Sequence, residues 1–175
     1  MFLKEACKPR RSVFNKERRD VVLDLSDLLE NKIDPQRFFD ENFVTSGMKT
    51  LLEKTFSRLE GASDQASAFL LTQAMGGGKT HIMIALGLLA ADAALRKNIL
   101  GVAGPGSKLG TVRVVGFTGR QSDAPLGIWG EIARQLGKKD FFKDYYSPLQ
   151  APGETAWINL LKGEPTIILL DELPP

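Results

Sequence analysis

The sequence predicts an α/β fold, a parallel sheet wrapped by helices in three αβα layers. Three observations carry this. Apolar runs at residues 67–72 (SAFLLT), 111–117 (TVRVVGF) and 166–170 (TIILL) read as strands. Helical apolar patterns separate them. The last run is apolar throughout, as expected of a central strand buried on both faces. Strand, helix, strand, helix, strand is the order of a parallel sheet with helical crossovers.

Before the first strand lies a short helical lead-in. Residues 21–25 (VVLDL) form either a short strand or the first turn of a helix. Asp34-Pro35 reads as an N-cap with proline at the first helical position, opening a helix through Arg37, Phe38 and Phe39 to about Asn42. Thr45 or Ser46 caps a second helix. Met48, Leu51, Leu52, Phe56 and Leu59 recur there at helical spacing, and Gly61 is placed to end it. We therefore divide the chain into a lead-in, residues 1–44, and the start of a nucleotide-binding domain, residues 45–175.

From Lys79 an apolar helix runs through Ile82, Met83, Ile84, Ala85, Leu86, Leu88 and Leu89 to about Ala94. Residues 101–110 hold Gly101, Gly104, Gly106, Gly110 and Pro105 and read as a flexible loop. Residues 126–136 form a helix with Ile128, Trp129, Ile132, Ala133 and Leu136 on its apolar side. Residues 147–153 are a loop, and residues 154–161 a short helix.

Composition excludes several classes. With 43% hydrophobic and 25% charged residues, the chain has ordinary globular composition and enough apolar material for one modest core. No run of apolar residues is long enough to span a membrane. Cys7 is the single cysteine, so an internal disulfide is excluded and a reduced cytoplasmic thiol is expected. Residues 1–20 carry seven basic and three acidic residues, a charge of +4 within a net +2. Such an arm can meet nucleic acid or an acidic protein face, although a solvated, mobile terminus is the preferred reading.

The chemistry concentrates at two strand ends. Gln73-Ala74-Met75-Gly76-Gly77-Gly78-Lys79-Thr80 lies between an apolar strand and an apolar helix. Consecutive glycines let backbone N–H groups converge, and the helix N-terminus behind them completes a concave phosphate site, the Walker A arrangement. Lys79 can reach the β and γ phosphates, and the Thr80 hydroxyl can ligate Mg²⁺. The usual pattern begins with glycine, and Gln73 stands at that position. The Walker B arrangement, residues 167–172, is an apolar strand ending in Asp171-Glu172. Asp171 would hold the metal opposite Thr80, and Glu172 would orient and deprotonate the attacking water. A glutamate directly after the strand aspartate points to the ATPases with an additional strand and a catalytic glutamate, whose cofactors are ATP and Mg²⁺.

Other residues compete with blander roles. His81 could touch nucleotide or Glu172, but a packed, partly exposed helical histidine is preferred. Arg120, just past the second strand, is either a phosphate or partner sensor or a surface arginine. Phe141, Phe142, Tyr145 and Tyr146 interleave with Lys138, Lys139 and Lys143 like a single-strand stacking surface; helix packing is the preferred reading. Asn31-Lys32-Ile33-Asp34 matches a guanine-specifying motif, which here would require a circularly permuted GTPase. Asp34 already serves as an N-cap, and no Asp-x-x-Gly follows the third strand.

Taken together, the string Gln73 to His81, Gly119-Arg120 with Asp123-Ala124-Pro125-Leu126-Gly127, and the ending Leu169-Leu170-Asp171-Glu172-Leu173-Pro174-Pro175 resemble a known family. It comprises large AAA-like P-loop ATP-binding proteins of bacterial and archaeal phage-defence islands, long classed as a domain of unknown function. The resemblance runs from about Val21 to the last residue. It implies that Gln73 and Ala74 to His81 bind the nucleotide, and that the protein hydrolyses ATP in the cytoplasm with DNA, a methyltransferase and a helicase as partners, in an oligomer of the full-length protein. Family members are several times longer, so the chain is expected to be an N-terminal fragment, its fold incomplete at the C-terminus. The strand order 5-1-4-3-2 expected of such ATPases would leave residues 67–72 without strand neighbours. Weak binding and poor hydrolysis are therefore expected of the isolated chain. A non-hydrolysing nucleotide-binding scaffold is the rival from another class.

Overall fold

The computed structural model describes residues 22–72, 76–120 and 124–173. The basic arm with Cys7, the loop residues Gln73, Ala74 and Met75, Asp123, and Pro174-Pro175 lie outside them. Among the described residues no helix is long and apolar enough to cross a membrane.

Short polar side chains set where the first helices begin. The ambiguous run at 21–25 ends as a helix start: α1 spans Leu25–Leu29 and opens on Asp24. The Asp24 carboxylate accepts the Ser26 N–H, and Asp27 in return accepts the Asp24 N–H, a reciprocal capping box. In α2, Pro35–Glu41, Asp34 caps as expected by accepting the Arg37 N–H at 3.1 Å. Thr45 caps α3, Ser46–Leu59.

Helix α4, Lys79–Ala91, is apolar on every side, and every residue from Ile82 to Ala90 is buried. Such a helix belongs in the interior. It stops earlier than the expected Ala94. Asp92 leaves helical geometry and caps a separate helix α5, Ala93–Leu100, accepting the Ala94 and Leu95 N–H groups. An aspartate that satisfies the next backbone donors offers the chain an alternative to continuing the turn. Arg96 on α5 is 1% exposed and donates five hydrogen bonds, to the carbonyls of Leu89, Ala90, Gly106, Leu109 and Gly110. Its guanidinium lies over the Phe56 ring, and burial pulls its pKa below the usual value. The glycine-rich loop 101–110 is thereby tied to the end of α4.

Two strands form a parallel pair, β1 at Arg113–Thr118 and β2 at Thr166–Asp171, with Thr118 opposite Asp171. Between them lie α6, Gly127–Gln135, a 3₁₀ helix, Lys139–Tyr145, and α7, Glu154–Leu161. Alternation along the strands sorts their side chains to two faces. Val114, Ile167 and Leu169 meet the core built on α1 to α5, whereas Val115 and Ile168 meet Ile132, Leu136, Phe142 and Leu160. Helices therefore cover both faces. Leu25, Leu28 and Phe38 of the lead-in share the first of these cores with α4. Phe142 is fully buried and edge-on to Tyr145 and Trp157, which is the packing reading of that aromatic run. On the outer side of β1, the Gln135 carboxamide takes the Gly116 N–H at 2.9 Å and donates to its carbonyl at 2.8 Å, doing for one residue what a neighbouring strand would do.

The first of the three expected strands is not there. Residues 67–72 carry no strand assignment, and Leu70 is 85% exposed. The sheet among the described residues holds β1 and β2 only. A strand exists through the hydrogen bonds of its neighbour. No described strand lies beside 67–72, so apolar composition does not make it a strand, although Leu71 packs against the core.

Candidate functional site

The site forms where the C-terminal ends of β1 and β2 meet the start of α4, the edge where open parallel sheets take their ligands. Gly76 and Gly78 have φ of 77° and 79°, the left-handed region that side chains make costly. Gly78 is the N-cap of α4 and supplies no capping side chain. The positive end of a helix at such a glycine turn suits an anion. Lys79 and Thr80 occupy the first turn of that helix.

Thr80 and Asp171, 91 residues apart, are brought together: the Thr80 hydroxyl donates to Asp171 Oδ2 at 2.8 Å. Asp171 is buried at the end of β2. A hydroxyl facing a carboxylate is a hard oxygen pair of the kind a small divalent cation takes. Among the described residues no three His, Cys, Asp or Glu side chains gather as a metal cage. A cation at this pair would draw its remaining ligands from phosphate and water, as Mg²⁺ commonly does.

Glu172 follows directly, with φ 48° and an exposed side chain. Arg120 grips it with two hydrogen bonds, one from Nε to Oε2 and one from Nη2 to Oε1 at 2.7 Å. The hydrogen bond to Glu172, then its charge, raises the Arg120 pKa. Arg120 also places Nη1 3.7 Å from Asp24 Oδ2, so the cap of α1 reaches the same cluster. Between the strand ends, Gly119 donates its N–H to the Asp171 carbonyl at 2.9 Å. A Cβ on Gly119 would fall 1.9 Å from the Glu172 carbonyl oxygen, so only glycine permits this crossing.

His81 is partly buried and stacks on Phe38, with ring centroids 6.2 Å apart. It is packed against α2 rather than paired with Glu172. Lys32 of the guanine-motif match pairs with Glu30 at 2.5 Å, and the Asp34 carboxylate is engaged as a helix cap. Sequence reasoning did not single out Asn42, Phe43 or Gly47, which with Phe38, Met48, His81 and Ile82 line a cavity of about 440 Å³ against Gly77 and Gly78. Their one visible signal was the placement of two capped helices just upstream of the glycine loop, which says nothing of a cavity.

A protein-family model described as the DUF499 N-terminal domain matches residues 10–109, more than half of the chain. No curated protein and no solved structure matches it.

Proposed function

The chain belongs to the family of the DUF499 N-terminal domain, a domain of unknown function, and for it we propose Mg²⁺-dependent binding and hydrolysis of ATP on an AAA-like P-loop. The observation that carries this is the Thr80–Asp171 hydrogen bond of 2.8 Å, which joins the helix behind the glycine loop to the acid at the strand end. In this reading Gln73, Ala74 and Met75 lead into the loop, and the backbone N–H groups of Gly76 to Gly78 cradle the phosphates. Lys79 aligns the terminal phosphate, and Thr80 and Asp171 hold Mg²⁺. When bound, Mg²⁺ neutralises charge on the phosphate oxygens. Glu172 takes the proton from the attacking water. Before it can do so its carboxylate must leave Arg120, so the arrangement described is a resting one. Work on DNA in defence against phage, with methyltransferase and helicase partners and an oligomer of the full-length protein in the cytoplasm, rests on the resemblance alone.

The Arg120 grip on Glu172 also favours a second reading, a scaffold that binds nucleotide without hydrolysing it. Phosphate release and Mg-ATP binding by the full-length protein, as wild type, Lys79→Ala and Glu172→Gln, distinguish the two. The ATPase reading expects binding lost in Lys79→Ala, and binding kept with turnover reduced about 10²-fold or more in Glu172→Gln. Turnover equal in wild type and Glu172→Gln would leave the scaffold standing. The absence of any Mg-ATP binding would remove both.

A further inference from the structure

We infer that the cavity between α2, α3 and the glycine loop is the pocket for the nucleotide base, and that Asn42 selects adenine over guanine. The inference rests on the ATPase reading of the loop. Gly77 and Gly78 line the cavity as well as the loop, so phosphates held by the loop deliver whatever they carry to its mouth. Its volume of about 440 Å³ is of the size that holds a small organic ligand.

The walls suit a flat aromatic heterocycle. Phe43 is 82% exposed and His81 half-buried, while Phe38, which stacks on His81, and Met48 and Ile82 lie buried behind them. A base slid against such faces gains stacking and loses little hydrogen bonding, since its polar atoms lie at its edge. Thr45, whose hydroxyl accepts the Met48 N–H, and Ser46 supply polar lining together with Asn42. The Asn42 Nδ2 donates to the Phe38 carbonyl at 2.8 Å, which orients the amide, because the flipped form would press oxygen on oxygen. Oδ1 is then the group Asn42 offers a ligand, and among the described residues it takes no hydrogen bond. It accepts from the exocyclic amino group of adenine. Guanine puts a carbonyl oxygen at that edge and meets repulsion.

Affinities of the 175-residue chain for Mg-ATP, Mg-GTP and Mg-tripolyphosphate test this in wild type, Asn42→Ala and Gly47→Trp. Gly47 lines the cavity, and a Cβ there meets nothing within 4 Å, so the large side chain enters open space without straining the fold. A cooperative melt confirms that each variant folds. The expected result is a preference for ATP over GTP of about tenfold, which falls to within about threefold in Asn42→Ala. Gly47→Trp is expected to weaken ATP about tenfold or more, with tripolyphosphate unchanged in both variants. Tight ATP and tripolyphosphate binding that neither variant alters would overturn the pocket and leave the loop reading intact. Binding of neither ligand by wild type would remove the loop reading and the pocket with it.

Discussion

Two segments lie on either side of the buried helix α4 and its continuation α5. Residues 67–72 lead toward the glycine loop; they are apolar, and Leu70 is 85% exposed. Residues 101–110 follow α5; they are rich in glycine, yet the carbonyls of Gly106, Leu109 and Gly110 all accept from Arg96. Three of their own N–H groups close turns as well, from Gly104, Ser107 and Leu109. The difference teaches that partners for backbone polar groups, more than apolar content, decide which segment is built into a fold. A buried guanidinium with five donors can organise a stretch that has almost no side chains to pack.

The largest effect expected from this comparison comes from Arg96→Lys. An ammonium offers three donors in a different geometry, so at least two of the five hydrogen bonds are lost. A loss of about 3–5 kcal/mol is expected from urea unfolding, with residues 101–110 gaining fast amide exchange. An unchanged midpoint would mean that the loop holds itself.

Next comes a paired truncation. Leu89→Ala, at a fully buried position of α4, is expected to cost about 2–5 kcal/mol. Leu70→Ala in the exposed run should stay within about 0.5 kcal/mol. Equal costs would show that Leu70 is covered in solution, and the comparison would collapse.

The smallest effect concerns the other place where a side chain stands in for a neighbour. Gln135 closes the outer side of β1, and Glu131 accepts a hydrogen bond from it at 3.0 Å. The hydrogen bond from Arg134 foremost, and then that from Gln135, hold the Glu131 carboxyl below its usual range against the opposing effect of burial. Because the folded value is depressed, its stabilisation is present above the unfolded pKa of about 4.3 and lost as pH falls through the folded value. With solvent screening it is worth at most about 1 kcal/mol. The stability gap between wild type and Glu131→Gln should therefore be small at about pH 6 and shrink as pH falls through the depressed folded value. A gap that persists in acid would assign the effect to packing.

Much of the helical architecture was legible in residues 22–173. Asp34-Pro35, Thr45 and Gly61 marked helix ends that the structure keeps, because capping and left-handed turns act within a few residues. Asp92 carried the same kind of signal inside an apolar run, where the run obscured it. The candidate site was legible in part. Thr80 and Asp171 were paired by spacing and chemistry, and the structure brings them together. The Arg120–Glu172 grip, the Gly119 crossing and the cavity at Asn42 were not, since each joins elements distant in sequence.

By itself the sequence determined where several helices begin and end, that α4 is apolar along its length, and which residue types gather around a glycine loop. These follow from local geometry and periodicity, which a few consecutive residues contain. Only the tertiary structure decided that residues 166–171 are a strand while the equally apolar 67–72 are not, and which acid faces Thr80. Both depend on a partner many residues away. A strand without a neighbour has nowhere to place its hydrogen bonds, and the Thr80–Asp171 hydrogen bond does not exist until the chain has brought its two halves together.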